Sequence, residues 1–278
     1  MRFLQIGPFH CPRVALDGAF GASGLPGMTA IAGWVDQIAR SCGHPALNPN
    51  FAIVLHDLQR LPGIAKASPT SNAAPGEVVE RIHGRLKATI VIADHDAVLG
   101  HADVLNAVRR ARFCGSLFEG ARVRERDTIQ DALLSAPPGH VLTDRTDLLS
   151  AACADATDPL DALLDVLWAP VKGGEENPWS FDETGAWRQL LPLSIGYQLL
   201  EQIDPERTRA GSRSPDTPHV FAEGVVGLGE AVSSRRIARA GLTGTARFFW
   251  SWEQDNATGL LAVTGKAFDE LQAERNTL

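Results

Sequence analysis

The order of short strands and helices in the first half of the chain constrains its fold more than any other sequence feature. The segment RLKATIVIA (85–93) alternates and is rich in β-branched residues, and FAIVLHDL (51–58) is a second apolar run, so both predict strands. A short N-terminal strand precedes them, and HVLTD (140–144) predicts a further strand. Helical spacing of apolar residues predicts helices within 24–43 and over 101–113.

Strand, helix, strand, strand, helix, strand is the order of a ferredoxin-like fold, so we predict an α+β class. In the first helix Ile31, Trp34, Val35 and Ile38 share one face, and Gly43 predicts the helix end. In this fold the helices cover one face of an antiparallel sheet. We therefore expect the other face to be free for loops, a partner or RNA, as in RRM-type modules.

The remaining segments predict additions to this core within a single domain over residues 1–278. Three stretches rich in Pro, Gly or polar residues predict excursions at about 61–77, 168–187 and 204–218. The segments HVFAEGVVGLGE, ARFFWSWEQ and GLLAVTG predict extra C-terminal strands, the last two as a hairpin across DNAT.

Composition indicates a cytosolic protein whose charge is unevenly distributed. The net charge is −7, yet only four of the 26 basic residues are lysines, and arginine suits contacts to phosphates and bases. A GC-rich genome would also explain the arginine excess. The four cysteines form no C-x-x-C pair. The N-terminal residues lack the long apolar stretch of a secretory signal, and no apolar run is long enough to span a membrane. We therefore expect a cytoplasmic location and no membrane partner.

The stretch EGVVGLGEAVSSRR (223–236) has the wrong glycine spacing for a dinucleotide fingerprint, and no Gly-Lys-Ser/Thr follows for a phosphate-binding loop. It predicts a strand ending in a glycine-rich turn, with Arg235 and Arg236 shortly after. Such a turn can let another backbone approach and can bind an anion. A tight turn at a sheet corner is the alternative.

Two candidates for catalytic chemistry are weak. The sequence ADHDAVLGHAD holds Asp94, His95, Asp96, His101 and Asp103, but these residues lie between a strand and a helix, where Asp forms turns and caps. We therefore expect neither a metal nor a cofactor. His56 alternates with apolar residues, which favours a hydrogen-bonded structural histidine over a general base.

Several stretches, in order along the chain, resemble a known family. They include GLPGMTAIAGWVDQI, AVRRARFCGSLFEGARV, LLPLSIGYQLL and HVFAEGVVGLGEAVSSRRIA, the last with its G-x-G-E motif. Together they resemble the RAMP-type subunit of the type I-F CRISPR (Csy) surveillance complex that holds the 5′ handle of the guide RNA. The chain is shorter than usual for this family, which is consistent with a compact variant system.

The resemblance implies an RRM-like core with no catalytic role and no catalytic residue. It implies that the subunit binds the crRNA 5′ handle, pairs with the large subunit, adjoins the first backbone subunit and contacts target DNA only indirectly. The residues that it places near RNA are Gly24, Gly27, Thr29, Arg112, Arg122, Gly227, Gly229 and Arg236. Arg235 departs from the family's pattern and is a further RNA-binding candidate because it adjoins Arg236. The aromatics Tyr197, Phe248, Phe249, Trp250 and Trp252 are further candidates for stacking on bases, although alternation along the strand assigns about half of them to the core.

Two alternatives stay open at this point. One is a related RAMP endoribonuclease that processes precursor crRNA, with a histidine such as His56 as general base. The other is a scaffold that contacts only protein.

Overall fold

An antiparallel sheet with helices on both faces forms the body of the protein. The computed structural model describes residues 1–16, 18, 24–62, 64–67, 78–167, 189–202 and 219–276. The strands are β1 (Arg2–Ala15), β2 (Asn50–Arg60), β3 (Ile64–Ala67), β4 (Val78–Arg81), β5 (His83–Asp94), β6 (Val123–Arg126), β7 (His140–Asp144), β8 (Leu190–Leu199), β9 (Ala222–Ser233), β10 (Arg247–Asp255) and β11 (Leu260–Ala267). The helices are α1 (Met28–Ser41), α2 (His101–Arg110), α3 (Ile129–Ser135), α4 (Thr146–Asp155), α5 (Pro159–Leu167), α6 (Ser234–Arg239) and α7 (Phe268–Asn276).

Four of these strands have the ferredoxin-like order β2-β5-β1-β6, which confirms the predicted α+β class. All three of their pairings are antiparallel, for example Ile6 with Ile90 and Ile53 with Ile90. The fourth strand, however, is β6 and not the predicted 140–144 segment. The latter is a strand, β7, but it pairs with β2 and β9 on the far side of β2. The short charged sequence of β6, VRER, suits an edge strand, and it carries too few apolar residues to predict a strand.

Helices α1 and α2 cover the first face of this sheet, as the sequence predicts. The predicted apolar face of α1 (Ile31, Trp34, Val35 and Ile38) is buried in the main core with β1, β2 and β5. The helix ends as predicted, because Cys42 is its C-cap and Gly43 follows with a φ of +89°.

The second face is not free, so the expectation of an open RRM-type face is wrong over most of the sheet. A second core covers it, built from Phe3, Val54 and Val91 on the strands and from side chains of α3, α6 and α7. Gln5, also on β1, is buried there and donates to the carbonyl of Ala132 at 2.7 Å. These helices come from later in the chain, so local patterns could not reveal their position.

The later strands continue the sheet and close on β2. The order runs β10-β11-β8-β9-β7-β2, and Trp250 on β10 also pairs with Phe51 on β2, so six strands form a ring. The predicted hairpin of β10 and β11 is confirmed. Both faces of β10 are covered, which buries three consecutive aromatic residues, Phe248, Phe249 and Trp250. The expectation that alternation would leave about half of these aromatics outside the core is therefore wrong for these three.

The predicted excursions fall mostly outside the described residues. Within 61–77, Ile64–Ala67 is not a loop but strand β3, which pairs with β4 in a separate two-stranded sheet. Residues 168–187 and 204–218 lie entirely outside the described part. None of the helices in the described ranges combines the length and the apolar character needed to cross a bilayer.

Candidate nucleic-acid interface

A groove of about 390 Å³ lies between the end of β1, one side of α1 from its N-cap to Gln37, and the loop after α2. Its lining includes Gly27 and Arg112, two residues that the resemblance places near RNA. The other residues of this groove are Ala15, Ala30, Gly33, Trp34, Gln37, Cys114 and Gly115. The structure therefore brings together one predicted residue from the N-terminal loop and one from the middle arginine segment.

The N-terminal end of α1 at this groove has no capping side chain. Gly27 is the N-cap and the first turn contains no acidic residue, so the positive end of the helix dipole is not neutralised locally. Thr29 lies in this first turn and is half-buried. Gly24 precedes it with a φ of +128°, a left-handed conformation that favours glycine, and donates to the carbonyl of Leu16 at 3.1 Å. The helix start therefore suits an anion.

Gly33 leaves the helix backbone open inside the groove. A glycine in a helix interior costs about 1 kcal/mol relative to alanine. Nothing in the structure requires it, because a Cβ built at Gly33 would meet no atom within 4 Å. The missing side chain lets a ligand approach the helix closely.

The side chains around the groove supply charge and hydrogen bonds but no nucleophile. Arg112 and Gln37 are exposed, and none of the ion pairs in the described ranges involves Arg112. Trp34 is fixed beneath them, with its ring edge-on to Phe113 at a centroid distance of 5.2 Å. Burial raises the pKa of the Cys114 thiol, so this cysteine is not a thiolate at neutral pH.

Gly227 and Gly229 do not form the predicted glycine-rich turn. They lie within the continuous strand β9, paired with Leu193 and Leu191 of β8. A Cβ at Gly227 would lie 2.6 Å from Cδ1 of Ile195, so the neighbouring side chain occupies that space. The prediction of a turn is therefore wrong: these glycines make room for apolar side chains of β8.

The remaining predicted arginines do not line the groove. Arg235 and Arg236 belong to α6, which packs through Ile237 and Ala238 into the second core, whereas α1 packs on the first face. Arg122 is exposed beside β1, where its carbonyl accepts from the N–H of Gly7 at 2.8 Å. The structure thus places the predicted residues at the groove, within β9, before β6 and on α6.

A family model described as "CRISPR-associated protein (Cas_Csy2)" matches residues 106–263, more than half of the chain. The chain belongs to the Cas_Csy2 family. It is therefore a Cas protein of the type I-F Csy complex, a multi-subunit assembly.

The Cas_Csy2 match starts within α2 and ends in β11. It includes Arg112 but not α1, so it covers only one wall of the groove. It also includes the G-x-G-E motif, whose Glu230 carboxylate accepts from Arg145 at 2.7 Å. Arg145 is the N-cap of α4, so the motif attaches this helix to β9. Sequence reasoning gave no structural role to this glutamate.

In this Cas_Csy2 chain His56 has no free ring nitrogen. Its Nδ1 lies 3.1 Å from the carbonyl oxygen of Pro138, and its Nε2 lies 2.8 Å from Oγ1 of Thr89. Because a carbonyl only accepts, Nδ1 carries the proton and Nε2 accepts from the threonine hydroxyl. Burial lowers the pKa of His56. The lone pair that a general base needs is therefore already engaged.

The acidic sequence around Asp94 forms a turn. The Asp94 carboxylate accepts from the backbone N–H groups of Val98 and Leu99, each at 3.1 Å, and from Nε of Arg2. Among the residues that the structure describes, no group of three or more His, Cys, Asp or Glu side chains is arranged to hold a metal ion. The turn-forming interpretation of Asp94 is confirmed.

Sequence reasoning missed most of the groove. An isolated glycine in the amphipathic pattern AIAGWVDQI was a usable signal for Gly33. No local signal could show that Gln37 and Gly115 face the same groove, because tertiary packing of α1 against the loop after α2 brings them together.

Proposed function

We propose that this chain is the non-catalytic crRNA-binding subunit of its Csy complex and that it holds the crRNA 5′ handle in the groove. The observation that carries the proposal is the position of Arg112 beside the uncapped start of α1. A guanidinium and the uncapped positive end of a helix at the same groove suit a phosphate.

The groove fits a single-stranded RNA better than a small metabolite. Gly33 and Gly115 expose backbone, and Arg112 and Gln37 offer donors for phosphates and base edges. Because these groups lie along an open surface, a chain of nucleotides can pass across them. Local contacts of this type hold a fixed strand without any reaction.

The partners follow from the same proposal. The chain pairs with the large subunit, adjoins the first backbone subunit and takes part in RNA-guided DNA recognition without contacting DNA directly. Its location is the cytoplasm, where the guide RNA is made.

The absence of catalysis is part of the proposal, and the hydrogen bonds of His56 support it. Incubating the purified chain with precursor crRNA, without metal, tests this directly. We expect no cleavage. Specific cleavage that His56→Ala abolishes would establish the endoribonuclease instead.

Charge reversal at the groove tests RNA binding. We would co-express the tagged chain with the other Csy subunits and a crRNA, then wash the captured complex with increasing salt. Arg112→Glu should lower the salt concentration at which half of the crRNA is lost, because it replaces a phosphate contact with repulsion.

Arg40→Glu is the matched control. Arg40 is an exposed arginine at the other end of α1, and within the described ranges its one ion pair is with Asp36, four residues earlier. It should leave crRNA retention at the wild-type level. Equal retention in the Arg112 and Arg40 variants would contradict RNA binding in the groove.

A further inference from the structure

An exposed apolar patch lies around the ends of β8, β9 and β11, and none of its residues lines the groove of α1. Its four large side chains have exposed fractions of 43% for Tyr197, 57% for Leu200, 60% for Phe221 and 37% for Leu261. We call these four residues the apolar patch. Exposed side chains of this size in a group mark interaction surfaces more often than chance.

The strand register places Tyr197 beside Leu261, and neighbouring contacts link both to the other two residues of the patch. Tyr197 on β8 lies directly opposite Leu261 on β11 and, on its other side, opposite Gly224 of β9, which has no side chain to cover the ring. Leu200 and Leu261 line one surface depression, and the N–H of Leu200 donates to the carbonyl of Phe221 at 2.9 Å.

Among the residues that the structure describes, the charges nearest the patch are acidic. The described stretches 189–202, 219–230 and 251–264 contain no lysine or arginine but five carboxylates. Glu230 and Glu253 form ion pairs with Arg145 and Lys266. Glu223 and Asp255 are exposed at the strand ends next to the patch. The exposed carboxylates of Glu223 and Asp255 disfavour a phosphodiester chain at the patch.

We propose that the apolar patch binds another protein subunit of the Csy complex, through apolar side chains of the partner that are surrounded by lysine or arginine. The carboxylates select such a partner by charge complementarity, and the apolar side chains provide the buried area. This inference rests on membership in a multi-subunit complex, but not on the RNA-binding part of the proposed function.

The test uses the full complex, captured through a tag on this chain and measured for each subunit and for crRNA. Tyr197→Ser with Leu261→Ser should weaken retention of one protein subunit roughly thirty-fold, the change that truncation of a central interface residue produces. Glu223→Lys with Asp255→Lys should weaken retention of the same subunit. Leu160→Ser, on α5, removes an equally exposed leucine elsewhere and is the control.

The outcomes separate the possible occupants. Loss of one protein subunit in both patch variants, and not in the Leu160 variant, supports the proposal. Wild-type retention of every subunit overturns it, as does loss of crRNA while all proteins remain. A dimer of the isolated chain that the patch variants dissociate would also overturn it. Arg112→Glu should not affect the patch partner directly, so failure of the groove proposal remains distinguishable.

Discussion

Replacing Gly229 with alanine tests whether the glycine-rich strand serves packing or RNA. A Cβ at Gly229 would lie 2.5 Å from Cδ1 of Leu193 and 3.2 Å from Cδ1 of Leu142. Both leucines are almost fully buried in the main core, so neither can move into solvent to relieve the contact. The substitution therefore overpacks the core.

The expected magnitude follows from that geometry. Overpacking by one methyl group costs about 1–3 kcal/mol, and Leu193 must leave its rotamer or the strands must separate slightly. For a chain of this size each kcal/mol lowers Tm by roughly 2–4 °C, so we expect a decrease of about 4–8 °C for a cost near 2 kcal/mol.

Thermal unfolding of the purified chain measures the effect, with Gly33→Ala as the matched comparison. Alanine at Gly33 meets no neighbour and should raise the free energy of unfolding by up to about 1 kcal/mol. The same change narrows the groove and should weaken crRNA retention in the complex. The packing account would be refuted if Gly229→Ala kept the wild-type Tm but reduced crRNA retention.

Three further predictions concern other contacts in the fold. Burial lowers the pKa of His56, so below about pH 6.5 the unfolded chain binds a proton that the folded chain does not. The free energy of unfolding should therefore fall as the pH drops below about 6.5. Urea unfolding should show a weaker pH dependence in His56→Gln, and an unchanged dependence would contradict the assignment. Arg145→Ala leaves the Glu230 carboxylate without its partner, so it should lower the free energy of unfolding in urea by about 2 kcal/mol, and Glu230→Gln should lower it by less. Surface changes scatter by roughly 0.5 kcal/mol, so equal losses below that value in both variants would argue against a structural role of this pair. Phe249→Ala removes a ring that packs against Phe3, Phe248 and Phe268 and should cost about 3–5 kcal/mol, whereas the exposed Tyr197→Ser should leave Tm nearly unchanged.

The sequence predicts those helices and strands in which the pattern of apolar residues matches the faces that are buried in the fold. Helix α1 has one buried face and a glycine after its last turn, so the spacing of its apolar residues and the glycine that ends it both identify the helix. Strand β5 is recognised by its alternation and β-branched residues, and the hairpin of β10 and β11 by the short polar turn between apolar strands.

The predictions fail where distant segments determine the environment. The second face of the sheet appeared open because α6 and α7 follow more than two hundred residues after β1. The glycines of β9 indicated a turn because glycine lowers strand propensity, yet side chains of β8 need that space. The groove combines α1 with the loop after α2, and only the resemblance pointed to Gly27 and Arg112 together.

Ultraviolet cross-linking of crRNA in the purified Csy complex, followed by mass spectrometry of this chain, tests RNA binding in the groove most directly. The account predicts cross-links from the 5′ handle to peptides that contain the start of α1 or the loop after α2, including Arg112. Cross-links confined to α6 or to the apolar patch would contradict it.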